Sequence, residues 1–279
     1  MLKTTLALAA ALFALPALAD THISYVDDGG QPGTQIYVKG GKVRIESGRN
    51  ISIYDLATNS MTVLMPDKNK YLVFDEKTAE QMGAAQQQMQ TAMNANQAQM
   101  NQAQQQLQAA MAQMTPEQRA QLQQMMGKQA NPASNPMAAA AGGPQMQMQE
   151  LGTTEIVAGH TCRDVQLNMN GRAVSTMCII DDPASLGIPA ADRQTLGHMR
   201  DNMQKMMTHM GPMAQGMSNV ISKGFALKTT HQSMQGFNRV TVTDSFKSVS
   251  NSSLSGSLFQ IPAGYAQTTM QELMQPSHP

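Results

Sequence analysis

From His22 to Phe74 the apolar residues fall on every second position, and polar turns interrupt them at short intervals. Ile23 and Tyr25, Ile36 and Val38, Val43 and Ile45, Ile51 and Ile53, Val63 and Met65, and Leu72 and Phe74 are the alternating pairs. Asp28-Gly29-Gly30, Gly40-Gly41, Gly48-Arg49-Asn50, Thr58-Asn59 and Pro66-Asp67-Lys68-Asn69 separate them. A period of two with tight turns predicts an antiparallel meander with one buried face. No helix can use this pattern, because its apolar residues would wind around all sides.

The pattern stops at Asp75. From Glu76 to Pro144 the chain is Gln, Ala, Met and Asn, almost without aromatic or β-branched residues. Met82, Met89, Met93, Met100, Leu107, Met111 and Met114 step mostly by seven and four, and steps summing to eleven track a nearly straight helix. Thr115-Pro116-Glu117-Gln118 has the order of an N-cap, an N1 proline and a capping-box glutamine, and Gly127 ends the helix it starts. Lys128 to Gly143 has the composition of a linker. The block 76–150 thus reads as an insertion in a β domain, either a helical arm or hairpin of helices, or a disordered segment.

Strand grammar resumes at Gly152, with strands at Glu155 to Val157, His160 to Asn168 and Arg172 to Ile180. Asn170-Gly171 is a strong hairpin signal. With a loop of Met169 to Gly171, Cys162 and Cys178 lie opposite one another, eight residues either side of Asn170, and predict a cross-strand disulfide. Closing a loop of about 15 residues, it is worth roughly 3 kcal/mol in the chain-entropy model. Ala190 to Met210 follows as a helix, in which Leu196, Met199, Met203, Met206 and Met210 step three, four, three, four. Gly211-Pro212 ends it. Phe225 to His231 and Arg239 to Phe246 are two more strands, and Ser248 to Ser257 reads as a polar loop. The β domain therefore occupies 20–75 and 151–267, with a tail at 268–279.

Residues 1–19 read as a secretory signal peptide: Lys3, an apolar run from Leu6, and Ala17-Leu18-Ala19 before Asp20. Cleavage leaves a periplasmic or secreted chain, soluble and without an integral membrane segment. The 19 Lys and Arg balance 19 Asp and Glu, and losing Lys3 leaves a charge of about −1. Such a chain has no electrostatic footprint for nucleic acid.

Lys39-Gly40-Gly41-Lys42-Val43-Arg44-Ile45-Glu46, the hairpin Met61 to Tyr71, the element Gly152 to Cys162, Gly224 to Lys228 and Leu258 to Tyr265 together resemble an exported bacterial family, the domain of unknown function DUF4412. That family is similar to the periplasmic lipoprotein carriers of LolA and LolB type. The resemblance implies a mostly β fold with helices (α+β): a curved antiparallel sheet, an unclosed LolA-like barrel, with helices over a concave face that holds acyl chains. The chain departs from the family in having no Trp and a long Gln/Met insertion. No catalytic residue carries over.

No nucleophile elbow, phosphate loop, H-E-x-x-H or C-x-x-C is present, and the six His are scattered, so the expectation is no enzyme and no cofactor. The methionines admit three readings. They are core in place of Leu, or an adaptable lid of Leu196, Met199, Met203, Met206, Met207 and Met210 over an apolar ligand (an acyl chain, lipid or lipoprotein), since Met adapts to variable apolar partners. The third is a soft Cu(I) site of Met199, Met203, Met206, His209 and Met210.

Overall fold

The computed structural model describes residues 20–112, 146–209, 224–235 and 238–274. The expected signal peptide, the helix expected from Thr115, the expected linker and Met210 lie outside the described residues. Six strands form the first meander: β1 (Thr21–Asp27), β2 (Pro32–Lys39), β3 (Lys42–Ser47), β4 (Asn50–Asp55), β5 (Ser60–Met65) and β6 (Lys70–Phe74). Helix α1 (Glu76–Ala112) follows, then β7 (Met146–Val157), β8 (His160–Met169) and β9 (Arg172–Ile180). Helix α2 (Ala190–His209), β10 (Phe225–Gln235), β11 (Asn238–Asn251), β12 (Ala266–Gln267) and the short α3 (Met270–Met274) follow among the described residues.

All twelve strands make one sheet, in the order β12-β6-β5-β4-β3-β2-β1-β11-β10-β9-β8-β7. Every pairing is antiparallel except that of β12 with β6. The sheet does not close, so β12 and β7 are its edges. It is curved. In a flat sheet β8 and β11 would stand about 14 Å apart at a spacing of 4.8 Å, yet the rings of His160 and Phe246 are 6.0 Å apart. Tyr25 on β1 likewise reaches past β11 to donate to the Ala226 carbonyl at 2.8 Å.

Register turns the alternation into a face. Ile23 pairs with Ile36 and Ile36 with Ile45, while Val38 pairs with Val43 and Val43 with Tyr54. Paired residues share a side, so these rungs form the apolar inner surface. One cluster joins Ile23, Tyr25, Val157, Cys162, Cys178, Leu186, Ile188, Leu227 and Phe246. A second joins Val38, Val43 and Tyr54. On the opposite side Ile53 and Leu64 are also buried. There the 3-10 turn Gly256–Phe259 lies against β3, and Arg44 donates to the Leu258 carbonyl at 2.7 Å.

The β8–β9 hairpin forms with a tighter turn than the three-residue loop read from the sequence. Met169 pairs with Arg172, leaving Asn170 and Gly171 as a two-residue turn, both at positive φ (52° and 74°). A register shift then places Asp164, not Cys162, opposite Cys178. The cysteines are diagonal neighbours, and the disulfide spans that diagonal with Cα atoms 5.3 Å apart. Two other boundaries move. β7 begins at Met146, ahead of Gly152, because Met146-Gln147-Met148-Gln149 pairs with Asn168 and its neighbours on β8. β11 continues to Asn251 through the expected polar loop, since Ser248 to Asn251 pair with β1.

Asp75 marks the change from strand to helix for a local reason. Its carboxylate accepts from the Thr78 backbone N–H (2.8 Å) and hydroxyl (2.7 Å), capping the first turn of α1. Those two bonds hold the Asp75 carboxyl below its ordinary pKa. Ala79 is buried and Met82 half-buried where α1 meets α2 and β6. Beyond that the helix leaves the sheet: every residue from Thr91 to Ala103 is exposed.

Candidate ligand-binding face

α2 lies across the inner face, against β2 and β3. Asp182 caps the turn before it by accepting from the Ala184 N–H at 2.8 Å. Leu186 and Ile188 then anchor the approach in the core. Leu196 packs against both clusters and Met199 against the Val38, Val43, Tyr54 cluster.

The innermost line of α2 takes only Met206 from the methionine stripe. Its buried residues are Asp192, Thr195, Asn202 and Met206. These step three, seven and four, so they share a helix face, rotated from that of Leu196, Met199 and Met203. The polar members are all bonded. Asp192 accepts from the Thr21 hydroxyl at 2.5 Å. Thr195 turns its hydroxyl back to the Ala191 carbonyl at 3.1 Å. Asn202 accepts from the Asn59 side-chain amide at 2.8 Å and donates to the Asn59 carbonyl at 3.2 Å, while Tyr54 donates to Asn59 at 3.1 Å. Met206 is buried beside this network, its sulfur 3.8 Å from the Asn202 amide. Burial raises the Asp192 carboxyl above the ordinary aspartate range, and the Thr21 bond only partly offsets it.

Leu196, Met199, Met203 and Met207 are half-buried, placed between the sheet and water. His209 ends α2, but its side chain and Met210 lie outside the described residues, as does the lower end of the copper set. His198 on the same helix is exposed.

A second polar constellation sits on the disulfide side of the sheet. Glu155 pairs with Cys162, while Asp164 and Lys228 both pair with Cys178, so all three charged residues share a face with the disulfide. They line a cavity of about 220 Å³ with Leu151, Thr176, Met177 and Thr230. Glu155, Asp164 and Cys178 bring potential ligand atoms within 4.8 Å of one another. The Cys178 sulfur is spent in the disulfide, Lys228 is 2.6 Å from Glu155, and the Thr153 hydroxyl donates to Asp164 at 2.7 Å. The group works as a mixed-charge wall. The sequence does not reveal it because its members come from four strands, β7 to β10, and no spacing joins them.

Among the described residues, no helix is long and apolar enough to cross a membrane. The fold and this face define a class: an open, curved β-sheet protein with a helix laid over its inner surface. Within that class the chain belongs to the family described as Domain of unknown function (DUF4412), which matches residues 78–265, from the first turn of α1 to Tyr265. No curated protein matches it.

Proposed function

We propose that the chain is an exported, non-enzymatic carrier that holds an apolar ligand, such as an acyl chain, lipid or lipidated protein, between the sheet and α2. The observation that supports this is how α2 is held. It is tied by polar contacts in its first turn, Asp192 to Thr21, and past its middle, Asn202 to Asn59, while half-buried thioethers lie between and beside them. Polar contacts of this kind exchange with water at a net cost of about 1 kcal/mol each. Lifting the helix also unpacks Leu196, Met199 and Met206, apolar contacts that a bound acyl chain would replace. What it uncovers is apolar: Ile36, Val38, Val43, Ile45 and Tyr54. Flexible methionines can follow a ligand of variable shape. The resemblance to carriers of LolA type supports the same reading, as does the reading of residues 1–19 as a secretory signal peptide.

The test replaces Met203 and Met207, which are half-buried and tolerate exchange better than buried Met206. Met203→Gln with Met207→Gln should keep the β circular-dichroism spectrum and lose several-fold in affinity for a fluorescent fatty acid. The Leu pair should bind as wild type does. Wild-type protein that takes up no probe would sink the proposal. Should wild type instead compete with a Cu(I) chelator, and the Leu pair not, the copper reading replaces it.

A further inference from the structure

We propose that the projecting part of α1 is a pairing arm for a second copy of this chain. The helix has 37 residues, about 55 Å at 1.5 Å per residue; Ala79 and Met82 near its start are buried and half-buried, and every residue from Thr91 to Ala103 is exposed. Further out, Met93 and Met100 are 55% and 54% exposed, one heptad apart. Asn96 and Ala103 fall between and after them at steps of three and four, and the sequence continues the spacing backward to Met89 and Met82 and forward to Leu107. This three-four rhythm is the seam of a coiled coil.

Two features select an identical partner. First, no ionisable residue occurs between Glu80 and Glu117. A lone helix in water is ordinarily supported by ion pairs three and four residues apart, and this one has none. A partner chosen by charge would find nothing to read, whereas a second arm meets no like charge to repel it. Second, the one polar seam residue on the exposed stretch is Asn96, whose amide both donates and accepts. Asn96 is thus complementary to its own copy, and a single Asn in a seam fixes register. Apposing residues 91–112 of two arms engages about 33 Å of each helix. It buries on the order of 1,000 Å² in total, the lower bound for a specific interface.

Sedimentation of the exported chain over a hundredfold range of concentration tests this. Wild type should pass reversibly from monomer to dimer, and Met93→Glu with Met100→Glu should stay monomeric with unchanged β spectrum and melting temperature. Cys162 and Cys178 are paired, so Asn96→Cys adds a single free thiol, and it should form an intermolecular disulfide in the dimer. A wild type that remains monomeric throughout, with Met93 and Met100 shielded from peroxide, would show that the chain covers this face itself and overturn the proposal. So would a dimer that survives the double Glu substitution.

Discussion

α1 and α2 are written in the same vocabulary, methionine at helical spacing, yet α2 lies across the inner face while α1 packs near its start and is exposed from Thr91 to Ala103. α2 carries Asp192, Thr195 and Asn202 on its buried side and charged residues such as Asp201 and Lys205 on its exposed side. α1 carries no ionisable residue from Gln81 to its end at Ala112. Methionine periodicity therefore announces a helix without saying what lies against it. The companions of the methionines decide. Short polar residues that can reach Thr21 and Asn59 dock α2, whereas from Thr91 to Ala103 every side chain of α1 is exposed.

The same substitution in both helices gives the widest separation. Met206→Ala removes a buried side chain and should cost about 2–4 kcal/mol, whereas Met100→Ala, on an exposed face, should stay within about 0.5 kcal/mol in the monomer. Urea unfolding at low protein concentration checks both, and equal losses would erase the distinction. Asn202→Ala should come next, at about 1 kcal/mol, because it removes both hydrogen bonds between α2 and Asn59, whose exposed amide and carbonyl can turn to water. Hydrogen exchange should show α2 opening more often while α1 is unchanged.

The smallest effect concerns pH. Asp192 has a raised pKa in the fold, so the native state binds its proton more tightly than the unfolded chain does. Its contribution is full below the unfolded value of about 3.9 and is lost as pH rises through the raised folded value. Asp192→Asn stays uncharged and can still accept from Thr21. It should match or exceed wild-type stability at neutral pH and flatten the dependence between acid and neutral conditions. A steeper dependence in the variant would mean that the charged carboxylate is what holds α2.

The strands were legible where alternation and turn chemistry agreed, as in Ile36-Val38, Val43-Ile45 and Asn170-Gly171. The disulfide followed from cysteine spacing, although the two-residue turn and the register shift after it moved the pair onto a diagonal. β7 was hidden at its start because Met146-Gln147-Met148-Gln149 has the composition of the arm before it, and only pairing with β8 makes it a strand. The end of β11 was hidden because Ser248 to Asn251 are polar and owe their extension to β1. Leu196 and Met199 were placed at the sheet as the spacing implied. The polar docking line of α2 could not be read, since Asp192 and Asn202 acquire their meaning from Thr21 and Asn59, far away in the chain.

The central place of β1 bears on how the chain assembles. One side of β1 is satisfied almost at once, since Thr21 pairs with Val38 in the neighbouring hairpin. Its other side waits for Asn251, near the far end of the chain. The six-strand meander can form from local pairings, which are fast, while joining it to the second half requires a long-range closure, which is slow. Until β11 arrives, β1 presents an unpaired strand edge of the kind that recruits other chains. On the proposed export route, the chain would keep that edge open throughout the passage of the arm and of β7 to β10. The interval between the two pairings of β1 is therefore when this protein is most exposed to misassembly, and when a holding chaperone would matter most.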